Sequence, residues 1–267
     1  MKVSSNLDLA IKAALVAGKE ILKIYKSSNF GVEYKSDKSP LTLADKASNR
    51  VIESALRNTN IPILSEEGEV LSYEDRKDLN KLWIVDPLDG TKEFIKKNDE
   101  FTVNIALIEE NKPIMGVIYA PALKVMYFSE KKLGAFKILI GDSDELHYSK
   151  AIRLPIIKKS NEYRVLTSRS HLDKNTLNYI DNLKVNNLKV VSVPMGSSLK
   201  FCLLAEGIAD CYPRFSPCME WDTAAGQAIC EHSGFKVVDL KTMCSIFYNR
   251  AHLVNNNFIV KKQNNLF

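Results

Sequence analysis

Apolar positions near the start of the chain recur at helical spacing. Leu7, Ile11, Ala14, Leu15, Gly18, Ile21, Leu22 and Tyr25 share one face of an amphipathic helix, with Ser5 or Asn6 placed to cap it. A Lys-rich polar stretch, YKSDKSPLTLAD, follows. It ends in Thr42-Leu43-Ala44-Asp45, which reads as a helix start with Asp45 at the third helical position, and the period runs on through Asn49, Ile52 and Leu56. The pattern then shortens. Ile61-Pro62-Ile63-Leu64 is a strand running into Ser65-Glu66-Glu67-Gly68, and Trp83-Ile84-Val85 is a second strand that Asp86 cuts off. From Phe101 to Lys137, β-branched and aromatic runs alternate with turns at Glu110-Asn111-Lys112-Pro113 and Ala120-Pro121-Ala122, which predicts a meander.

Residues 141 to 160 are polar and irregular, so a boundary is expected there. It separates an N-terminal α+β subdomain (1–145) from a C-terminal subdomain (146–267). In the second half YRVLTSR (strand) precedes a helix from about Asn175 to Leu183, and LKVVSVP (strand) precedes the helical SSLKFCLLAEG. Strand alternating with helix predicts an α/β arrangement.

Composition narrows the class. The chain has 267 residues, 45% hydrophobic and 26% charged, a globular balance with enough length for a large core. The net charge of +5 is spread rather than blocked, which argues against a nucleic-acid arm and for easy encounter with a small anion. Charged residues interrupt the apolar N-terminus, so no secretory segment is expected. Nor does any stretch reach the roughly 18 apolar residues of a spanning helix. Five cysteines, none in a C-x-x-C pair, predict buried free thiols in a reducing cytoplasm. Peripheral membrane contact and oligomeric state stay open.

The chemistry lies in three acidic clusters, each at the mouth of a core element: Glu66-Glu67, Asp86 with Asp89, and Asp222. "DPLDG" taken alone is good turn chemistry. Brought together unpaired, however, these acids would be costly, and a cation resolves the cost. Hard oxygen donors without His or Cys suit Mg²⁺. A helix starting at Thr91 would add the backbone N–H groups of Gly90 and Thr91 as an anion anchor. Metal carboxylates beside such an anchor describe a metal-dependent phosphate site.

The motifs SEEG, DPLDGT and WDTAAG, in this order, resemble the inositol monophosphatase family, from the first helix to about Val260. Within it, DGTKEFIK, NDEFTVNIALI, SRSH and SSLKFCLLAEGIADCYPRF are similar to the 3′(2′),5′-bisphosphate nucleotidase branch. The resemblance implies a layered αβαβα sandwich of the inositol monophosphatase/fructose-1,6-bisphosphatase type. It implies two Mg²⁺ ions, with a third weaker one near Glu66. One would be held by Glu66, Asp86 and the Leu88 carbonyl; the other by Asp86, Asp89 and Asp222. It implies a metal-activated water oriented by Thr91 and Asp45, with Glu67 in support.

For the nucleotide and its phosphates the resemblance points to Gly90, Thr91, His171, Ser197, Lys200 and Arg214, together with the metal-site residues Glu66, Leu88, Asp89 and Asp222. Taken singly, Asp45 is also explained as a helix-start acid, Lys200 as an exposed helix lysine, His171 as a surface histidine and Ser197 as a cap. The activity implied is hydrolysis of adenosine 3′,5′-bisphosphate to AMP and phosphate in the cytoplasm. An inositol or sugar monophosphatase with the same metal site, and a catalytically dead nucleotide-binding protein, are the alternatives.

Overall fold

The switch in hydrophobic period along the chain corresponds to a switch between layers. In a computed structural model, residues 1–27, 29–36, 39–69, 71–141, 146–156, 161–170, 172–185 and 189–262 are described. Helices α1 (Ser5–Tyr25) and α2 (Leu43–Leu56) flank a small antiparallel hairpin of β1 (Glu33–Tyr34) and β2 (Pro40–Leu41). Thr42 caps α2, and Asp45 closes the capping box from the third position, as the spacing predicts. At α1 the cap is Ser4, whose side chain accepts from the Leu7 N–H; Ser5 and Asn6 already lie inside the helix or at its first turn.

Among the described residues, a seven-stranded sheet runs in the order β3 (Ile63–Ser65), β4 (Lys81–Asp89), β5 (Thr102–Glu109), β6 (Lys112–Ala120), β7 (Val125–Glu130), β8 (Gly134–Leu139), β9 (Ile152–Arg153). Only the β3–β4 pair is parallel; the rest is the meander. Two short helices, α3 (Tyr73–Arg76) and α4 (Thr91–Ile95), precede and follow β4. The first sheet thus takes its last strand from residues 152–153.

The second half contains β10 (Tyr163–Ser168), α5 (Lys174–Val185), β11 (Val190–Met195), α6 (Leu199–Glu206), β12 (Cys211–Arg214), α7 (Glu220–Glu231), β13 (Phe235–Asp239) and β14 (Phe258–Lys262). Its five-stranded sheet has the order β11-β10-β12-β14-β13, parallel where helices cross over and antiparallel at β12–β14–β13.

Three cores join these elements into five layers. Leu7, Ile11, Ile21 and Ile52 of α1 and α2 pack on Trp83, Val85, Val103 and Ile105 from one face of the first sheet. Leu82, Ile84, Ala106 and Ile118 from its other face pack on Phe201, Leu204, Ala225 and Ile229 of α6 and α7, which are covered in turn by Phe258 and Val260. Ile180 of α5 closes the outer side against Val165, Cys211 and Ile259. The result is the αβαβα sandwich. β4 is buried on both faces, which is why its sequence is a continuous apolar run rather than an alternating one. Full burial of each large side chain contributes about 1.5–3 kcal/mol.

Helix α7 fits between two sheets because its inner face is small: Ala224, Ala225, Gly226 and Ala228. A Cβ on Gly226 would lie 2.3 Å from the Phe201 ring. Cys202, Cys211, Cys218 and Cys230 are buried free thiols, as expected, whereas Cys244 is an exposed free thiol. Among the described residues no helix is long and apolar enough to cross a membrane.

Candidate functional site

Asp86 does not end its strand. Pairing with β5 continues to Asp89, with Asp86 opposite Asn104 and Asp89 opposite Thr102, so β4 holds one more residue than its partner across this interval. In a regular strand, positions three apart point to opposite faces. The bulge cancels that, and Pro87, which has no N–H to lose, sits within it. Asp86 and Asp89 therefore share the face that looks toward α6 and α7. From α2, the buried Ser48 hydroxyl donates to the Pro87 carbonyl at 2.7 Å and pins the bulge.

Glu66 continues the parallel β3–β4 pairing by one residue, its N–H bonded to the Val85 carbonyl at 3.1 Å. Asp222 occupies the third position of α7, where its carboxylate accepts from the Met219 N–H at 2.8 Å. Carboxylate oxygens of Glu66, Asp86 and Asp222 all lie within 4.8 Å of one another. They line a cavity of about 280 Å³ together with Leu88, Asp89, Gly90, Thr91, Ser197, Lys200 and Arg214.

The acids are electrostatically crowded. Burial first, then Glu66, Asp89 and Asp222, push Asp86 well above the usual carboxylate range. Burial, with Glu66 and Glu93 adding to it, raises Asp89 to about 6 against the pull of Lys200, and burial with Asp89 and Glu66 raises Asp222 to about 8. Part of the demand for positive charge is met by Lys35, which follows β1. Its ammonium lies 2.8 Å from Glu66 Oε1 and also bonds Glu67. These two carboxylates hold Lys35 above its ordinary pKa although burial opposes them. An all-oxygen set of clustered, desolvated carboxylates is the chemistry a hard divalent cation needs. The residues present fit such an ion.

Another part of the cavity lining carries positive charge. Lys200 is buried rather than exposed, which removes the surface-lysine reading. Its ammonium donates to the carbonyls of Met195 at 3.2 Å and Ser197 at 2.6 Å and lies over the Tyr212 ring. Burial lowers its pKa to about 8. Arg214 donates Nε to the Ser216 carbonyl and Nη2 to the Pro217 carbonyl, both at 3.0 Å. Ser197 takes a positive φ of 46° and its hydroxyl accepts weakly from Leu199 N–H at 3.4 Å, but the residue at the cap position of α6 is Ser198.

Gly90, also in this lining, has φ 90°, a left-handed conformation in which a side chain would be strained. A helix does begin at Thr91, but it spans only five residues, so its dipole is slight and an anion there would depend on local N–H donors. The Thr91 hydroxyl is 3.3 Å from both Asp45 Oδ1 and the Leu88 carbonyl. Asp45 Oδ2 caps α2 through Thr42, and its Oδ1 lies within reach of Thr91. Glu67 stands behind Glu66 on Lys35, and burial raises its pKa. His171 lies outside the described residues.

Several supporting residues escaped the sequence pattern. Asn49 bonds the Ser65 hydroxyl at 2.6 Å and the Glu67 carbonyl at 3.1 Å, holding the loop that presents Glu66. Ser198 donates its backbone N–H to Asp89, while its hydroxyl bonds Thr102 and Asn104 at 2.7 Å each. A signal for Asn49 and Ser48 did exist: with Asp45 they form a polar stripe on a helix face that should be apolar. Ser198 and Lys35 had none, since a serine at a helix start and a lysine in a polar stretch are ordinary.

Comparison with known proteins agrees with this geometry. The chain is 43% identical over 258 residues to the Salmonella typhimurium 3′(2′),5′-bisphosphate nucleotidase CysQ, covering 95% of this chain and 98% of that one. It is 44% identical over 241 residues to the CysQ of Buchnera aphidicola, covering 86% and 83%. The crystal structure of CysQ from Bacteroides thetaiotaomicron superposes with a TM-score of 0.89 at 45% identity, covering 97% of each chain. The inositol monophosphatase family profile matches residues 2–266, and the chain belongs to that family.

Proposed function

We propose that this protein is a Mg²⁺-dependent 3′(2′),5′-bisphosphate nucleotidase that hydrolyses adenosine 3′,5′-bisphosphate to AMP and phosphate. The observation that carries the reading is one cavity of mixed charge: four crowded carboxylates, Glu66, Asp86, Asp89 and Asp222, lining it together with the buried Lys200 and the half-buried Arg214. Near-full-length identity above 40% to relatives named as such nucleotidases supports the substrate class.

Glu66, Asp86, the Leu88 carbonyl, Asp89 and Asp222 would hold two divalent cations. When bound, such ions neutralise the acids, clamp the phosphoryl group and acidify water. The chain's own residues supply orientation and proton handling. The Thr91 hydroxyl, within reach of Asp45 Oδ1, positions the attacking water and passes its proton toward that carboxylate. The raised pKa of Asp45, due to burial, makes it a better proton acceptor than a free carboxylate. Lys35 balances part of the charge of Glu66 and Glu67. Lys200 and Arg214 receive the second phosphate, Arg214 through its planar fork and Lys200 as a point charge.

Phosphate release from adenosine 3′,5′-bisphosphate and from inositol 1-phosphate, each with and without Mg²⁺, tests the reading. The expected result is metal-dependent turnover with clear preference for the nucleotide. Preference for the inositol ester would reassign the substrate, and AMP binding without turnover of either would leave a binding protein.

A further inference from the structure

The cavity draws its residues from both halves of the chain, and two polar ties at its rim join those halves without belonging to the acid cluster. Glu100, in the loop between α4 and β5, forms a two-pronged ion pair with Arg169 just past β10: Oε2 to Nε and Oε1 to Nη2, both 2.6 Å. Glu100 Oε2 also accepts the Gly196 N–H at 2.7 Å, and Arg169 Nη2 donates onward to the Pro194 carbonyl at 3.1 Å. One turn away, Glu93 of α4 accepts from the Ser170 hydroxyl at 2.5 Å. Glu93 is buried and Glu100 only slightly exposed, whereas Arg169 is exposed, so the ion pair stands at the solvent edge of the cavity and the Glu93 bond lies deeper.

Each tie has one end on the segment that follows DPLDGT and the other on segments that carry the second-phosphate side. Residues 194–196 lead directly into Ser197 and Lys200, Arg169 is tied to them through the Pro194 carbonyl, and the Lys200 ammonium hangs on the carbonyls of Met195 and Ser197. A shift of the 194–197 segment therefore moves Lys200. The acids, in contrast, stand on β3, β4 and α7 and make no hydrogen bond to Glu100 or Arg169; Asp89 meets this region through the Ser198 N–H.

We propose that Glu100 and Arg169 are specificity-positioning residues. Their ion pair sets the distance between the scissile-phosphate pocket and the Lys200 side of the cavity, and so selects substrates carrying a second phosphate over compact monoesters. The inference rests on the nucleotidase reading. It predicts that the pair governs KM for the larger substrate and leaves the chemical step on a small one alone. Removing a charge-assisted, two-pronged bond of this kind should cost roughly tenfold in the affected constant.

The test is steady-state kinetics of Glu100→Gln, Arg169→Gln and the double variant, on adenosine 3′,5′-bisphosphate and on p-nitrophenyl phosphate, with Mg²⁺ affinity measured by calorimetry. Each single variant should raise KM for the nucleotide about tenfold, with kcat on p-nitrophenyl phosphate and Mg²⁺ affinity unchanged. The double variant should be no worse than either single, the signature of a shared interaction. Arg169→Lys, which keeps the charge and loses the fork, should fall between. Equal changes on both substrates, a change in Mg²⁺ affinity, unaltered nucleotide KM, or additive losses in the double variant would each overturn the proposal. A wild-type enzyme that does not prefer the nucleotide would instead sink the nucleotidase reading, and this inference with it, before any variant is compared.

Discussion

The two walls of the cavity handle charge in opposite ways. On the acid wall, Asp86, Asp89 and Asp222 each accept one backbone N–H, from Leu88, Ser198 and Met219, and crowd one another, with Lys200 drawing on Asp89 and Arg214 on Asp222. On the basic wall, Lys200 and Arg214 each donate to two backbone carbonyls of their own subdomain. The first wall is built at a cost that Lys35 and Lys200 offset only in part. The second is held in place by the chain itself and offers its remaining donors to an anion. The contrast is thus between acids left in mutual repulsion and cations tied to carbonyls of the chain.

The largest test of the contrast is chemical. Asp89→Asn should lower turnover of the nucleotide by at least ~10²-fold, the scale of losing one preorganised charge stabiliser. A near-normal rate would show that the acid wall does not hold the catalytic charge.

Lys200→Ala should raise KM for the bisphosphate nucleotide by roughly tenfold while leaving a small phosphate ester within about twofold, because only the former has an anion to lose there. Equal effects on the two substrates would take Lys200 out of recognition.

Stability should then separate the walls in the metal-free protein. Removing one charge from the crowded acids in Asp89→Asn should raise Tm by a few degrees, whereas Lys200→Ala, which leaves carbonyls unpaired in a buried place, should lower it by a similar amount. Thermal unfolding in EDTA reads both signs. Excess Mg²⁺ should raise the wild-type Tm and raise that of Asp89→Asn less.

The smallest effect expected is on pH. Asp89 sits at about 6 and Asp222 at about 8, both raised chiefly by burial above the ~3.9 of an unfolded aspartate. Across that window the folded state binds more protons than the unfolded state, so stability falls as pH rises. The metal-free protein should melt lower at pH 8 than at pH 5.5, and saturating Mg²⁺ should flatten the slope. A metal-free Tm that climbs over this range would contradict the crowding of the acids.

How legible the molecule was in its sequence differs between these same walls. Glu66, Asp86, Asp89 and Asp222 were readable because each stands next to an unmistakable core element, and the capping role of Asp45 followed from Thr42 three positions earlier. The strand that Asp86 was expected to end continues to Asp89 instead. Local turn chemistry, Asp-Pro and Asp-Gly, hides a bulge that only pairing with Thr102 and Asn104 defines. On the basic wall, Lys200 looked like any lysine on a helix. Its burial depends on Tyr212 and the Met195 carbonyl, groups supplied by other elements.

What the sequence alone determined is local: the periods that make helices and strands, the caps, and the placement of acids at the ends of core elements. These follow from interactions among residues a few positions apart. Only the tertiary structure decided which acids meet, that Lys35 balances Glu66 and Glu67, that Ser198 steadies Asp89, and that Glu100 reaches Arg169. Those outcomes depend on distances between remote segments, set by how two sheets pack across α6 and α7, and a side chain's charge acquires its cost or its use only once that packing excludes water.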